Sequence, residues 1–385
     1  MAAADGDARP VVYLDNAATT PLRPEALEAM LPFLTERFGN PSGGHRVARA
    51  ARLALDEARD DVAEILGCGP GEVVFTGGGT EADNLAVLGV VAARGGTAVC
   101  PAAEHHAVLH AVEAVGGTVV GVGPDGSVDL EQLAAALDQL DEVAVVSAMT
   151  ANNELGTLTP LDEVAAVVEE RAPGAALHTD AVQAAGWFDL GRLAARAQLI
   201  SIAAHKLGGP KGVGCLVVRD GTPLRPMLHG GGQERDRRSG THDVAGVVGF
   251  ATALRLAADE RDEAGARVGA LRDRLWARLV DEVGGVVASV PLERALPGHL
   301  HVRVEGCEGE ALLVLLDDAG ICASAGSACA SGAVEPSHVL SAMGVPKAEA
   351  LTSLRLSLSR TSTEADVEAA ATAVAAAAAR LRTGG

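Results

Sequence analysis

One lysine, Lys206, stands directly after an apolar stretch, in the segment SIAAHKLGGPKGVG (201–214). A strand end followed by Gly-Gly-Pro would hold the side chain in partly desolvated surroundings. A lysine amine needs such surroundings if it is to be neutral and form a Schiff base. Most lysines are solvated surface residues, and Lys211 is a rival on position alone, so the lysine by itself leaves both interpretations open.

A carboxylate and a glycine run follow two other apolar stretches. Asp180 lies in LHTDAVQ, where it could pair with a pyridinium nitrogen while Gln183 reaches a phenolic oxygen. The same aspartate could instead cap a helix. The run Gly77–Thr80 joins a predicted strand to a predicted helix, and its N–H groups and hydroxyl could bind a phosphate. It matches neither the P-loop nor the dinucleotide fingerprint.

Cys329 lies among small residues in SAGSACASG (324–332). Nothing there predicts a buried apolar pocket, whereas Cys215 in VGCLVV is typical of a core strand. An exposed thiol is suited to be a nucleophile or a carrier, although a passive loop cysteine remains the alternative.

Arg355 belongs to LRLSLSR (354–360), in which leucines alternate with polar residues. The period of two predicts a strand with its leucines on one face and Arg355 on the other. A guanidinium fixed on a strand can bind a carboxylate through two parallel hydrogen bonds, but the same residue could be an ordinary surface arginine.

Three histidines fall in AEHHAVLH (103–110). His106 and His110 are four residues apart on a predicted helix, so a metal pair has to be considered. No acidic or cysteine ligand is placed by spacing, so we predict no metal site. A stacking or acid–base role for one histidine is the more economical interpretation.

The composition of the 385 residues limits the function classes. Hydrophobic residues make up 48% but aromatic residues only 2%, which predicts a core of small aliphatic side chains and many helices. A net charge of −20 argues against direct contact with nucleic acid or membrane, and no apolar run is long enough to span a bilayer. The first residues lack the features of a signal peptide, and the six cysteines form no C-x-x-C pair, so we expect a cytoplasmic protein.

Short apolar runs alternate with amphipathic stretches up to about residue 219, which predicts a mostly parallel sheet with helices on both faces. The candidate residues then lie at strand ends, where such folds bind their ligands. The predicted strands are Glu72–Thr76, Thr97–Cys100, Thr118–Val122, Val143–Met149, Ala175–Thr179 and Gln198–Ala203. A long predicted helix, from about Asp243 to Val280, leads to a second domain with a strand at Leu300–Val304 and a helix at Gly309–Ala319.

Taken in order, these segments resemble the cysteine desulfurase family, within the class-V aminotransferase group of fold-type I enzymes that use pyridoxal 5'-phosphate (PLP). The closing segment, GSACASGAVEPSHVL, is similar to the housekeeping and nitrogen-fixation subgroup. The matching segments are YLDNAATTP (13–21), FGNPSGGH (38–45), FTGGGTEADN (75–84), EHHAVL (104–109), ANNELG (151–156), HTDAVQ (178–183), HKLGGPKG (205–212), GGGQERDRRSGT (230–241), GSACASGAVEPSHVL (326–340) and LRLSLSR (354–360).

The resemblance implies a role for each matching residue. Lys206 holds PLP and removes the Cα proton, Cys329 receives the sulfur as a persulfide, and His105 stacks on the ring. Asp180 contacts the ring nitrogen, Gln183 lies by the ring, and Asn153 lies by the ring and the substrate. The implied phosphate ligands are Gly79, Thr80, His205 and, from the partner subunit of a homodimer, Thr241, while Arg355 holds the carboxylate of L-cysteine.

The resemblance also implies a seven-stranded, mostly parallel sheet in a large PLP-binding domain (15–255). The smaller α+β domain (1–14 with 256–385) carries the catalytic cysteine. Ala203 departs from the family, which has a phosphate-binding serine at that position, so cofactor affinity depends on whether Ser201 or water substitutes. The sulfur would pass to a protein acceptor that the sequence does not identify. A selenocysteine or cysteine sulfinate lyase, or a weakly catalytic sulfur-relay scaffold, remains the alternative.

Overall fold

The computed structural model describes residues 11–325 and 335–383. Its strands are short and follow the apolar runs of the sequence. They are β1 (Val12–Tyr13), β2 (Val73–Thr76), β3 (Thr97–Pro101), β4 (Thr118–Val120), β5 (Val143–Ser147), β6 (Ala176–Asp180), β7 (Leu199–Ala203), β8 (Gly214–Val218), β9 (Val286–Ala288), β10 (His299–Val304), β11 (Ile321–Cys322) and β12 (Ser353–Ser357).

The helices lie between these strands and after them. Within the described ranges no helix combines the length and the apolar character that crossing a bilayer requires. The helices are α1 (Pro24–Leu34), α2 (Arg46–Leu66), α3 (Gly79–Arg94), α4 (His106–Ala114), α5 (Leu130–Leu137), α6 (Leu161–Arg171), α7 (Leu190–Leu193), α8 (Val244–Val283), α9 (Gly309–Asp318), α10 (His338–Ala342), α11 (Lys347–Ala350) and α12 (Glu364–Thr383).

The central sheet has seven strands in the order β2-β8-β7-β6-β5-β3-β4. The pairs from β4 through β3, β5 and β6 to β7 are parallel, and β8 runs antiparallel to both of its neighbours, β7 and β2. Helices flank the sheet, with α3 packed against β7 and β8 and α4 against β3 and β4. The predicted α/β class and the mostly parallel seven-stranded sheet are confirmed.

The core of this sheet consists of small aliphatic side chains, as the composition predicts. Strands β6, β7 and β8 are buried along their whole length, which is typical of strands covered on both faces. Cys215, predicted as a core residue, is fully buried in β8.

The chain divides into two compact units. Unit 1 comprises residues 1–18, 154–157 and 263–385, and unit 2 comprises residues 19–153 and 158–262. The domain boundaries that we expected from the sequence were 14/15 and 255/256. Unit 2 contains the seven-stranded sheet, and one of its limits falls inside α8.

Unit 1 has two small sheets. One is antiparallel in the order β12-β10-β9, and the other is the parallel pair β1-β11. Helix α9 packs against α12 and β12.

Candidate active site

Six strands of unit 2 end at the same edge of the central sheet, and five of them lead to predicted site residues. Since β2 and β7 are both antiparallel to β8, β2 runs in the same direction as β3, β5, β6 and β7. Asp180 is the last residue of β6, and Gly79, His105, Asn153 and Lys206 follow the carboxyl ends of β2, β3, β5 and β7. The topology therefore brings five of the predicted site residues to the edge where open α/β sheets bind ligands.

The turn between β2 and α3 is built around glycine. Gly78 has a φ of 139°, a conformation open to glycine, and the Thr76 hydroxyl donates to its carbonyl at 3.0 Å. A Cβ on Gly79 would lie 2.9 Å from Val182 Cγ2 and 3.5 Å from Ala203 Cβ. Gly79 thus lets the N-terminus of a 16-residue helix approach the ends of β6 and β7, where its N–H groups favour an anion.

Lys206 ends a single 3₁₀ turn, Ala204–Lys206, directly after β7. Thr20 binds this turn and Gly208 through three hydrogen bonds. Its N–H and its hydroxyl both donate to the His205 carbonyl, at 3.0 and 2.8 Å, and its hydroxyl oxygen accepts from Gly208 N at 2.9 Å. We did not predict a role for Thr20, although YLDNAATTP (13–21) contains it.

Arg23 binds the residues that follow the same turn. Its Nε donates to the Leu207 carbonyl at 3.1 Å, its backbone N to the Gly208 carbonyl at 2.8 Å, and its guanidinium makes two bonds to Glu260 at 3.0 and 2.9 Å. With a side chain only 3% exposed, Arg23 fixes the segment after the lysine. No sequence pattern predicted its role, because its partners Leu207 and Glu260 lie 184 and 237 residues away in the chain.

His205 is a neutral hydrogen-bonding group at physiological pH. Burial lowers its pKa to about 4, and the positive charges of Lys206 and Lys211 act in the same direction. Its Nδ1 lies 3.1 Å from the hydroxyl of Thr19. The ring can therefore contribute a hydrogen bond to a phosphate but no charge.

Asp180 is the last residue of β6 and is almost fully buried. Burial raises its pKa, while His105, the N–H of Val182 and Lys206 act in the opposite direction. The Val182 N–H donates to Asp180 Oδ1 at 2.8 Å. A carboxylate held in this way is suited to a cationic partner.

Asp83, on α3, lies close to Asp180, and we did not predict it. One ligand atom each from Asp83, His105 and Asp180 lie within 4.8 Å of one another. Burial raises the pKa of Asp83 well above its usual range, and the Asp180 charge raises it further. The sequence feature that could have predicted its burial is the position of an acidic residue among the apolar residues of a predicted helix, since Ala82 and Leu85 are buried.

Behind Asp83 lies a fully buried histidine. His178 Nδ1 is 2.7 Å from the Ser147 hydroxyl, and its Nε2 is 2.9 Å from the Ser201 hydroxyl and 3.6 Å from Asp83 Oδ1. Burial lowers its pKa to about 3, so the ring is neutral. The Ser201 hydroxyl belongs to this network and is fully buried.

Glu104 is a third buried carboxyl group at this edge. Burial raises its pKa to about 8, and the charge of Asp180 acts in the same direction. Its Oε1 accepts from Met149 N at 2.5 Å. Glu104 directly precedes His105, but no pattern in the surrounding residues predicted that its side chain would be buried.

His105 caps the N-terminus of α4. Its Nδ1 accepts from Ala107 N at 3.1 Å. His106 and His110 stack with ring centroids 5.0 Å apart, but they do not belong to the group with Asp83 and Asp180.

Gln183 and Asn153 complete this edge of unit 2. Gln183 is buried three residues after Asp180. Asn153 follows a segment that runs beside β6, in which Thr150 N donates to the Asp180 carbonyl at 2.9 Å. Thr80 begins α3 with Gly79, and its carbonyl accepts from Asn84 at 2.9 Å.

The remaining predicted residues lie elsewhere. Thr241 is exposed, three residues before α8. Arg355 belongs to unit 1, where its side chain is 6% exposed and its Nη2 lies 2.7 Å from Asp15 Oδ1, so it is not an ordinary surface arginine. Cys329 lies outside the described residues.

Comparison with known proteins gives consistent matches over most of the chain. The model of the class-V aminotransferase family matches residues 12–370. An IscS-like cysteine desulfurase of Mycobacterium tuberculosis is 47% identical over 362 residues, which cover 90% of this chain and 91% of the relative. A cysteine desulfurase of Gluconacetobacter diazotrophicus is 44% identical over 355 residues, covering 90% and 88%. A solved structure described as a NifS-like protein superposes with a TM-score of 0.88 at 37% identity, covering 95% of this chain and 99% of that one.

Proposed function

Because this chain belongs to the cysteine desulfurases of the class-V aminotransferase family, we propose that it uses PLP, held by Lys206, to transfer the sulfur of L-cysteine to Cys329. The family resemblance predicted from the motifs is confirmed. The observation that carries the proposal is the meeting of Lys206, Asp180 and the Gly79 turn at one edge of the sheet.

The residues of unit 2 fit the three chemical parts of PLP. The N-terminus of α3 with Gly79 and Thr80, together with His205, would bind the phosphate, and the close packing at Gly79 leaves backbone N–H groups as the donors. Asp180, whose Oδ1 accepts from the Val182 N–H, would bind the ring nitrogen, with Gln183 beside the ring. Lys206 would hold the aldehyde carbon covalently, and the ring of His105 would stack on the cofactor.

When bound, PLP supplies an electron sink for the carbon atom that carries the substrate amine. The protein residues supply the remaining functions. Lys206, on a turn fixed by Thr20 and Arg23, would remove and return the proton at Cα. Arg355, oriented by Asp15, would bind the substrate carboxylate through two parallel hydrogen bonds.

The sulfur step requires one thiol of the protein. The Cys329 thiolate would attack the sulfur of L-cysteine while the carbon–sulfur bond breaks. The products are L-alanine and a persulfide on Cys329, and the thiol proton balances the new C–H bond. A protein acceptor would then take the outer sulfur from Cys329.

A homodimer would complete the phosphate site with Thr241 of the partner subunit. The support is an exposed apolar face on unit 2. Leu27, Leu31 and Leu34 lie on one side of α1 and are exposed, and Phe38, which follows, is 72% exposed. Equilibrium sedimentation tests this part of the proposal, and a monomer at micromolar concentration would contradict it.

We place the reaction in the cytoplasm. The support is cysteine usage, since the five cysteines of the described ranges are all free thiols. A persulfide carrier also needs a compartment in which its thiol stays reduced.

The test of the function measures sulfide and alanine released from L-cysteine, with and without added PLP. Mass spectrometry should find one added sulfur atom on Cys329 when no reductant is present. The matched pairs are Lys206→Ala with Lys211→Ala, and Cys329→Ser with Cys68→Ser. Activity should be lost in the first member of each pair and kept in the second. Full sulfide release by Cys329→Ser would overturn the role of that thiol.

A further inference from the structure

The loop before α8 folds around one buried carboxylate. Glu234 is 5% exposed, and Arg59 donates to its two oxygens at 2.8 and 2.7 Å. Phe75 N donates to the same carboxylate at 3.0 Å. The fourth donor is His242, whose Nε2 lies 2.7 Å from Glu234 Oε1.

The contact between Glu234 and His242 joins the two ends of one loop segment. Glu234 and His242 are eight residues apart, and Thr241 is the residue directly before His242. Inside the loop, Gly240 N donates to Gln233 Oε1 at 2.8 Å. Both ends of the segment that carries Thr241 are therefore held by one carboxylate.

The backbone at Glu234 is one that L-residues rarely adopt. Glu234, Arg235 and Asp236 have φ values of 50°, 57° and 64°, three consecutive left-handed residues without a glycine. Such a run persists only when its surroundings over-determine it. The four hydrogen bonds to the Glu234 carboxylate provide that constraint.

The Glu234 carboxylate and its partner Arg59 also contact the strand that leads into the phosphate-binding turn of their own subunit. Arg59 donates to the Val73 carbonyl at 2.7 Å, and its guanidinium lies 4.5 Å from the ring centroid of Phe75. Both contacts are on β2, the strand that leads into Gly77–Thr80. Glu234 is thus fixed, directly through Phe75 N and indirectly through Arg59, to the strand that precedes this turn.

We propose that Glu234 is a positioning residue that, through His242, sets the place of Thr241 for its contact with the PLP phosphate of the partner subunit. This rests on the proposed function, in which Thr241 is a phosphate ligand. Glu234 keeps its charge at any working pH. Although burial opposes ionisation, the hydrogen bonds from His242 and Arg59 lower its pKa to about 2.

The test is a double-mutant cycle on the full-length dimer. Thr241→Val removes the hydroxyl, and His242→Leu removes the bond to Glu234 while leaving the Arg59–Glu234 pair intact. The readout is the dissociation constant of PLP, with sedimentation to confirm the dimer in every sample. His242→Gln keeps a side-chain donor and serves as the conservative variant, and Arg171→Gln, in an exposed ion pair, is the matched control.

Each single change should weaken PLP binding about 10-fold, the effect expected of one hydrogen bond to a charged group. The double variant should also lose about 10-fold rather than 100-fold, because both changes act on one contact. His242→Gln should bind PLP like the wild type. Glu234→Gln should behave like His242→Leu if it folds, and the cycle does not depend on it.

Two results would overturn the inference and leave the proposed use of PLP and L-cysteine intact. One is a double variant whose loss equals the product of the two single losses. The other is a Thr241→Val variant with unchanged PLP affinity in a dimer that still binds PLP. A wild-type protein that binds no PLP would instead refute the proposed function.

Discussion

Unit 2 contains two buried acid–histidine clusters that differ in one respect. In the Glu234 cluster (Arg59, Glu234, His242) a guanidinium faces the acid, and hydrogen bonds from His242 and Arg59 outweigh burial and lower the pKa of Glu234 to about 2. In the Asp83 cluster (Asp83, His178, Asp180) burial raises the pKa of both carboxyl groups, and His178 is neutral. Burial is similar in the two clusters, so the partner decides the ionisation.

The difference separates a structural cluster from one that lies at the proposed cofactor site. Glu234 has four hydrogen bonds and a fixed charge, which suits an anchor. Asp83 Oδ1 is buried without a hydrogen-bond partner, and Asp180, beside it, faces Lys206 and His105. A protonated ring nitrogen at Asp180 would add a cation to this second cluster, so its protonation would depend on the cofactor.

The largest effect is expected from removing the cation of the first cluster. Arg59→Met leaves Glu234 charged, buried and without its main partner, so the free energy of unfolding should fall by about 3–5 kcal/mol. Urea denaturation with constant m-value measures this loss.

Two further variants make the Arg59 result interpretable. Arg171→Met, in an ion pair whose side chains are 41% and 52% exposed, should change the free energy of unfolding by less than about 0.5 kcal/mol. Arg59→Met combined with Glu234→Leu should regain most of the loss, because no buried charge remains. If Arg59→Met and Arg171→Met lowered the free energy of unfolding by the same amount, the Glu234 cluster would not contain a buried ion pair in solution.

The sequence predicted the central sheet and its functional edge because both depend on local patterns. Apolar runs ending in polar residues set the strands, and parallel strands bring their carboxyl ends together, which grouped Gly79, Asp180 and Lys206. No local pattern predicted that β8 is antiparallel to its neighbours, since an apolar run does not indicate the direction of its strand.

Contacts between residues distant in sequence could not be predicted. The partners Arg59 and Glu234 are separated by 175 positions, and neither has a periodic pattern that names the other. The alternation around Arg355 was correct, but both faces of β12 are buried, because Ser357 also binds the segment at Leu14 and Ala17. A one-dimensional pattern shows which residues share a face and not what covers it.

A smaller effect, of opposite sign, is expected at the second cluster. The pKa of Asp83 is higher in the folded state than in the unfolded chain, so the contribution of Asp83 to stability falls as the pH rises from about 4. Asp83→Asn does not titrate. The variant should therefore be more stable than the wild type at pH 8, by about 1–3 kcal/mol, the usual cost of a buried unsatisfied polar group, and the two should converge near pH 4.

Urea unfolding of the PLP-free protein at several pH values measures this difference, with the exposed Asp56→Asn as the control. Lower stability of Asp83→Asn at pH 8 would mean that the Asp83 carboxylate is stabilised by its surroundings. The contrast with the Glu234 cluster would then disappear.

The smallest effect is expected for Glu104, because its Oε1 already accepts a hydrogen bond from Met149 N that a glutamine oxygen can keep. The pKa of Glu104 rises from 4.5 to about 8 on folding, so the contribution of Glu104 to stability should fall between these pH values and level off above 8. Glu104→Gln does not titrate, so its stability relative to the wild type should rise across this window and level off above pH 8. Since Glu104 also raises the pKa of Asp83, the gain should shrink when Asp83→Asn is already present, and strictly additive gains would show that the carboxyl groups titrate independently.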